Sequence, residues 1–146
     1  MKKYIMFTIS VICGICTACG QKSPERQERN PAISTIKKQQ SMDLSKITDT
    51  DVKLAVEALQ SGDKSWYSFF TENPVMTDDG NTVNFKSFFS NALGKEKFLT
   101  IDKVENDGKD IYGNFQAGQW GTFPVFFKFH KNAEGKFDRL DIGQSK

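Results

Sequence analysis

The chain has 146 residues, 38% of them apolar and 12% aromatic with 13 Phe, which suits one domain with a compact core. Its formal charge is +2, but Lys2 and Lys3 lie in a head that reads as a removable leader, leaving 18 basic against 18 acidic residues. Residues 20–46 hold six of those bases and three acids, so residues 47–146 carry 12 bases against 15 acids. A slightly acidic folded part argues against a nucleic-acid partner, whose phosphates need a basic footprint.

Met1-Lys2-Lys3 and the apolar run Tyr4 to Ile15 form a short basic head followed by a hydrophobic stretch, the pattern of a bacterial secretion signal. A comfortable transmembrane helix needs about 20 apolar residues, more than this run supplies. The stretch ends Cys16-Thr17-Ala18-Cys19-Gly20, which resembles the lipobox of bacterial lipoproteins, with Thr17 and Ala18 in the small-residue positions and Cys16 where Leu is usual. The resemblance implies a signal peptide over 1–18 and acylation of Cys19, so that the chain is anchored to a membrane of the cell envelope. Gly20, rather than Asp, after the Cys favours, by the same resemblance, the outer membrane of a Gram-negative cell, with a Gram-positive cell surface as the alternative. An ordinary signal peptide cut nearby is the alternative. With Cys13 and Cys16 removed and Cys19 capped, no thiol is left for a disulfide or for nucleophilic catalysis.

Residues 19–46 are rich in Lys, Gln and Ser and nearly free of large apolar side chains, the composition of a tether that cannot offset its ordering entropy. The folded domain is expected over 47–146. Thr48 to Asp51 can cap a helix whose Val52, Ala55, Val56 and Leu59 recur at helical spacing, with Gly62 as terminator. Asp63 opens a second, short helix carrying Trp66, Phe69 and Phe70 that stops before Pro74. Asp78-Asp79-Gly80 reads as a tight turn between short extended pieces. Asn84 can cap a third helix with the stripe Phe85, Phe88, Phe89, Ala92 and Leu93, ended by Gly94.

The period then changes from helix to strand. Lys97 to Val104, Asp110 to Ala117, Gln119 to Lys131 and Lys136 to Gly143 predict four strands, with a hairpin turn at Asn132-Ala133-Glu134-Gly135. In the third strand Val125, Phe127 and Phe129 share one face, while Phe126, Lys128 and His130 share the other. The expected class is α+β, with three N-terminal helices packed on one face of a curved four-stranded antiparallel sheet.

That order of elements resembles the nuclear transport factor 2-like superfamily, particularly its SnoaL-like members. The resemblance rests on the Ala55 to Phe70 helix pair, the Thr77 to Gly80 turn before a Phe-rich helix, and the ending Glu134-Gly135-Lys136-Phe137-Asp138-Arg139-Leu140-Asp141-Ile142. It implies a cystatin-like or nuclear transport factor 2-like cone, open at one end to small apolar or amphipathic molecules. Some members of that family are isomerases, dehydratases or cyclases.

Such catalysis needs a base in a desolvated pocket and a donor for a developing oxyanion. His130, the only His, falls on the polar face of its strand and reads as a surface residue. Alternation in the last strand puts Asp138 with Leu140 and Ile142, making it the one candidate carboxylate at the rim of the cone. Asp78 and Asp79 read first as turn residues. No His and Cys spacing suits zinc, and no run of Asp and Asn suits calcium, so no metal or cofactor is expected. Trp66, Tyr67, Tyr112 and Trp120 are candidates for a ligand-binding mouth, each combining an apolar ring with a polar tip. The expectation is a lipid-anchored envelope protein whose cone binds a small apolar ligand or a protein partner without catalysis. An isomerase, dehydratase or cyclase is the alternative, as is a structural module that forms homodimers through its sheet.

Overall fold

A computed structural model describes residues 42–146. The signal peptide, Cys19 and most of the tether lie outside them. Packing begins earlier than the expected boundary at Ile47: Met42 and Leu44 rest against the core, and the Lys46 ammonium donates to the Ile101 carbonyl at 2.9 Å.

Helix α1, Thr50–Ser61, starts where Asp49 accepts hydrogen bonds from the amides of Asp51 and Val52. It ends at Gly62, whose φ of 70° is left-handed and whose Cα side lies so close to Gly94 that an added Cβ would meet the Gly94 Cα at 2.7 Å. Val52, Ala55, Val56 and Leu59 are buried, as their spacing predicts. Val52, Val56 and Leu59 each contribute about 1.5–3 kcal/mol by leaving water, and Ala55 less.

The second helix is shorter than expected. Lys64–Phe69 is a 3₁₀ turn, and strand β1, Phe70–Asp78, begins immediately after it, with Pro74 inside the strand. The Trp66, Phe69, Phe70 spacing suggests helix, but Phe70 pairs with Phe137 in the sheet instead. β2, Asn81–Thr82, is a brief return, and α2, Phe85–Ala92, follows with Asn84 capping the amide of Ser87. The predicted strand over 97–104 divides into β3, Lys97–Phe98, and β4, Lys103–Glu105. β5 (Asp110–Gln116), β6 (Thr122–Lys131) and β7 (Phe137–Gln144) complete the chain.

The sheet therefore has seven strands rather than four, in the order β2-β1-β7-β6-β5-β3, with β4 also paired to β5. It is mixed, because β1 runs parallel to β7 while β5, β6 and β7 are antiparallel neighbours. The expected meander misses β1, whose partner is about 60 residues away in sequence.

Alternation in β6 holds: Phe127 and Phe129 are buried and register with Ile142 and Leu140 of β7, while Lys128 and His130 face outward. Trp66 sits fully buried among Phe70, Phe85, Phe89 and Phe129, with ring centroids 4.7–6.3 Å away. The tilted and edge-on rings of this cluster join the sheet to α2. Next to this cluster, Lys131 lies over the Phe137 ring and reaches from β6 to Asp49 and Asp51, each at 2.8 Å, tying the start of α1 to the hairpin.

Candidate ligand cavity

Two residues apart on β1, Met76 and Asp78 project to the same side of the sheet. Met76 is fully buried, so Asp78 is carried to the edge of the core rather than into open solvent. Glu96 reaches the same place from the turn after α2, where its amide bonds to the Ala92 carbonyl just ahead of β3. Beside them Asp79 takes a left-handed φ of 47° at the β1–β2 turn. Its carboxylate accepts from the Gln144 amide at 2.8 Å, which holds the end of β7 against the turn.

These acids border a cavity of ≈ 310 Å³ that opens to solvent at one end of the sheet. Its inner wall is the sheet surface formed by Phe115, Val125, Phe127 and Ile142 from three successive strands. Phe88 of α2 supplies the opposite wall, and Phe123 and Trp120 stand at the rim. An apolar floor with a few polar groups at the mouth is the usual form of a small-molecule site.

Burial raises the Asp78 carboxyl above its ordinary value, and the neighbouring Asp79 charge pushes it the same way. Glu96 is raised by burial and then by Asp78, so the two carboxylates repel each other across the mouth. Among the described residues neither takes part in an ion pair, whereas Asp49, Asp51, Glu105 and Asp141 all do. Among the described residues no basic side chain lines the cavity.

Of the four aromatic candidates the structure brings Trp120 to this cavity. Its indole is 75% exposed, because it does not head a strand but rides on the 3₁₀ turn Gly118–Trp120. That turn closes on itself through Ala117 N–H to Gly121 O at 2.8 Å, and Gly121 leaves it at a φ of 104° that ordinary residues avoid. Trp66 belongs to the core, with its indole N–H unpartnered inside the aromatic cluster. Tyr67 is half-buried against Phe85, where burial raises its phenol pKa. Tyr112 lies on the outer face of the sheet, in a groove with Phe126 and Pro124, under the Lys103 ammonium.

Asp138 is corrected as well. The register of β7 against β6 shifts between His130 and Lys131, so Phe137 rather than Asp138 joins Leu140 and Ile142 on the core side. Asp138 is exposed. His130 is on the outer face, bonded to Asp141 at 2.9 Å, which also accepts from Thr77 and Arg139. Asp78 and Glu96 are the residues that the sequence reading passed over. For Asp78 the signal was the two-residue strand spacing to Met76; Glu96, in the turn before β3, carried none.

A scan against protein-family models finds no match, and a search of curated proteins finds none. Solved structures do share the fold. A protein from Sphaerobacter thermophilus superposes with a TM-score of 0.51 at 11% identity, covering 66% of this chain and 94% of that one. A SnoaL-like protein of unknown function from Burkholderia thailandensis gives 0.50 at 9% identity, over 66% and 94%. The Anabaena orange carotenoid protein binding canthaxanthin gives 0.50 at 18% identity, over 66% of this chain and 35% of that chain. The described domain therefore has the nuclear transport factor 2-like, SnoaL-like fold. At these identities the likeness is one of fold, and function has to be argued from the cavity.

Proposed function

We propose that this protein is a lipid-anchored envelope protein that holds a small amphipathic molecule in the cavity between α2 and the sheet. The observation that carries the binding reading is the cavity itself, floored by Phe115, Phe127 and Ile142 and edged by Asp78 and Glu96. Its floor suits an apolar body, and its mouth suits a polar or charged head. That a structural neighbour binds canthaxanthin fits a fold able to enclose an apolar ligand. The lipobox-like Thr17-Ala18-Cys19 supports the anchor, with Cys19 acylated and the mature chain in the outer membrane of a Gram-negative cell. More than one acyl chain is required, because a single chain binds a membrane only marginally.

Native mass spectrometry of the chain extracted from its own host tests the binding reading. A reproducible small-molecule adduct, lost on unfolding, supports it; a bare polypeptide mass tells against it. For the anchor, Cys19→Ala should abolish incorporation of labelled fatty acid and release the chain from membranes, and unchanged retention would contradict it.

A second reading, proton transfer to or from the bound molecule, is favoured by one observation: Asp78 and Glu96 stand beside the same cavity, and burial raises both carboxyls from their ordinary values. Deuterium incorporation into 2-acetonaphthone, lost in Asp78→Asn, would support it. Exchange no faster than in buffer would exclude that reaction for this pocket.

A further inference from the structure

We propose that the cavity selects organic cations, namely compact aromatic or aliphatic molecules ending in a protonated amine or a quaternary ammonium group. The inference rests on the ligand-binding reading above and adds the chemical class of the ligand. Three features of the cavity lead to it.

The first is the sign of its charge. Among the described residues Asp78, Asp79 and Glu96 are the ionisable groups on its wall, and all three are acids. An anionic amphiphile such as a fatty acid would bring a like charge into a half-buried mouth with no base to receive it. The second is that, among the described residues, Asp78 and Glu96 lack an ion pair, while Asp49, Asp51 and Asp141, partly buried like them, have Lys131, Arg139 or His130; Asp110, also half-buried, is instead bonded by the Asn106 side-chain amide. A ligand cation placed between Asp78 and Glu96 would supply the missing counter-charge and relieve their mutual repulsion. Asp79 is already engaged by the Gln144 amide and serves the turn.

The third feature is the aromatic rim. Trp120, Phe88 and Phe123 border the same mouth, and the negative faces of aromatic rings attract ammonium groups, with Trp the strongest. The 75% exposure of Trp120 leaves an indole free to pack on a bound head group. A metal ion is the competing cation, but no group of three or more acidic, His or Cys side chains among the described residues is arranged to hold one. Carboxylates spread around an apolar hollow fit a large, weakly hydrated organic cation better than a small inorganic one.

The test is calorimetric titration of the full chain in phospholipid nanodiscs, with empty nanodiscs as blank, using three naphthalene ligands of matched shape. These are 2-(2-naphthyl)ethylamine, 2-(2-naphthyl)ethanol and 2-naphthylacetate. The amine should bind at least tenfold more tightly than the alcohol, a difference of about 1.4 kcal/mol, and the carboxylate most weakly. In Asp78→Asn/Glu96→Gln the amine-to-alcohol ratio should fall towards one. Equal binding of amine and alcohol by the natural chain, or a preference for the carboxylate, would overturn the cation assignment and leave the cavity as a ligand site. Binding of none of the three would count against the ligand-binding reading itself.

Discussion

Gly143→Ala tests how the cavity mouth is built. Gly143 faces the β1–β2 turn from β7, and a methyl group there would lie 2.5 Å from Asp79 Oδ1 and 2.9 Å from the Phe126 ring. Neither neighbour is backbone, so both can move, and the cost depends on what each gives up. Phe126 is half-buried on the outer face and can swing outward at little expense. Asp79 cannot move without stretching its 2.8 Å bond to the Gln144 amide, the tie between the turn and the end of β7. A hydrogen bond to a charged group contributes about 1.5–3 kcal/mol, and exposure of Asp79 places this one at the low end. The variant should therefore lose about 1–2 kcal/mol in urea unfolding, equivalent to roughly 5–10 °C in a domain of this size. The discriminating assay is a double-mutant cycle with Asp79→Ala, in which any backbone cost at the left-handed Asp79 is common to both arms. Gly143→Ala should cost about 1 kcal/mol less when Asp79 is already truncated. Equal cost in the two backgrounds would refute the argument and assign the strain to Phe126.

Other substitutions probe the remaining parts. Gly113→Ala would bring Cβ to 1.9 Å from the Thr100 carbonyl oxygen, a backbone atom, so it should cost about 3 kcal/mol or more and loosen the Leu99–Asp102 segment in hydrogen exchange. Asp78→Asn removes a carboxylate whose folded pKa is raised by burial and by Asp79. A raised carboxyl penalises folding above its folded pKa and not below its unfolded one, so the variant should melt higher than the natural chain at pH 7. That gain should vanish as pH falls through the ordinary carboxylate range. Lys131→Met should have the opposite pH signature. Burial pushes Asp49 up, but its bonds to Lys131 and to the Val52 and Asp51 amides outweigh that and hold its pKa below the ordinary value. Stability from a depressed carboxyl is present above its unfolded pKa and lost as pH falls through the folded one. The variant should lose about 1–2 kcal/mol at pH 7 and less in acid, as thermal melts at several pH values would reveal.

What was legible in the sequence was local. Asp49 and Asn84 cap α1 and α2, and the stripes of both helices, with the Val125-Phe127-Phe129 alternation, fix which sides meet in the core. Two of the failures are non-local. Phe70 falls at helical spacing from Trp66, yet its place in β1 is set by a parallel partner strand far along the chain. Asp138 shares parity with Leu140, but one extra residue at the His130–Lys131 register shift gives its place to Phe137. Trp120 lies among glycines whose positive φ angles make a turn where hydropathy alone suggests a strand. Asp78 reads as a turn residue because Asp79 and Gly80 follow it, and the turn does form there. Its side chain nonetheless follows the parity of Met76 and reaches the cavity.

The most direct test of the ligand cavity is to fill it. Val125 lies on the core-facing side of β6, half-buried at the cavity wall, and Phe at that strand position satisfies the sheet while occupying the hollow. Binding of 2-(2-naphthyl)ethanol, measured by calorimetry on the natural chain and on Val125→Phe with matching thermal transitions, should weaken at least tenfold in the variant. Undiminished binding would place the ligand elsewhere and contradict the account.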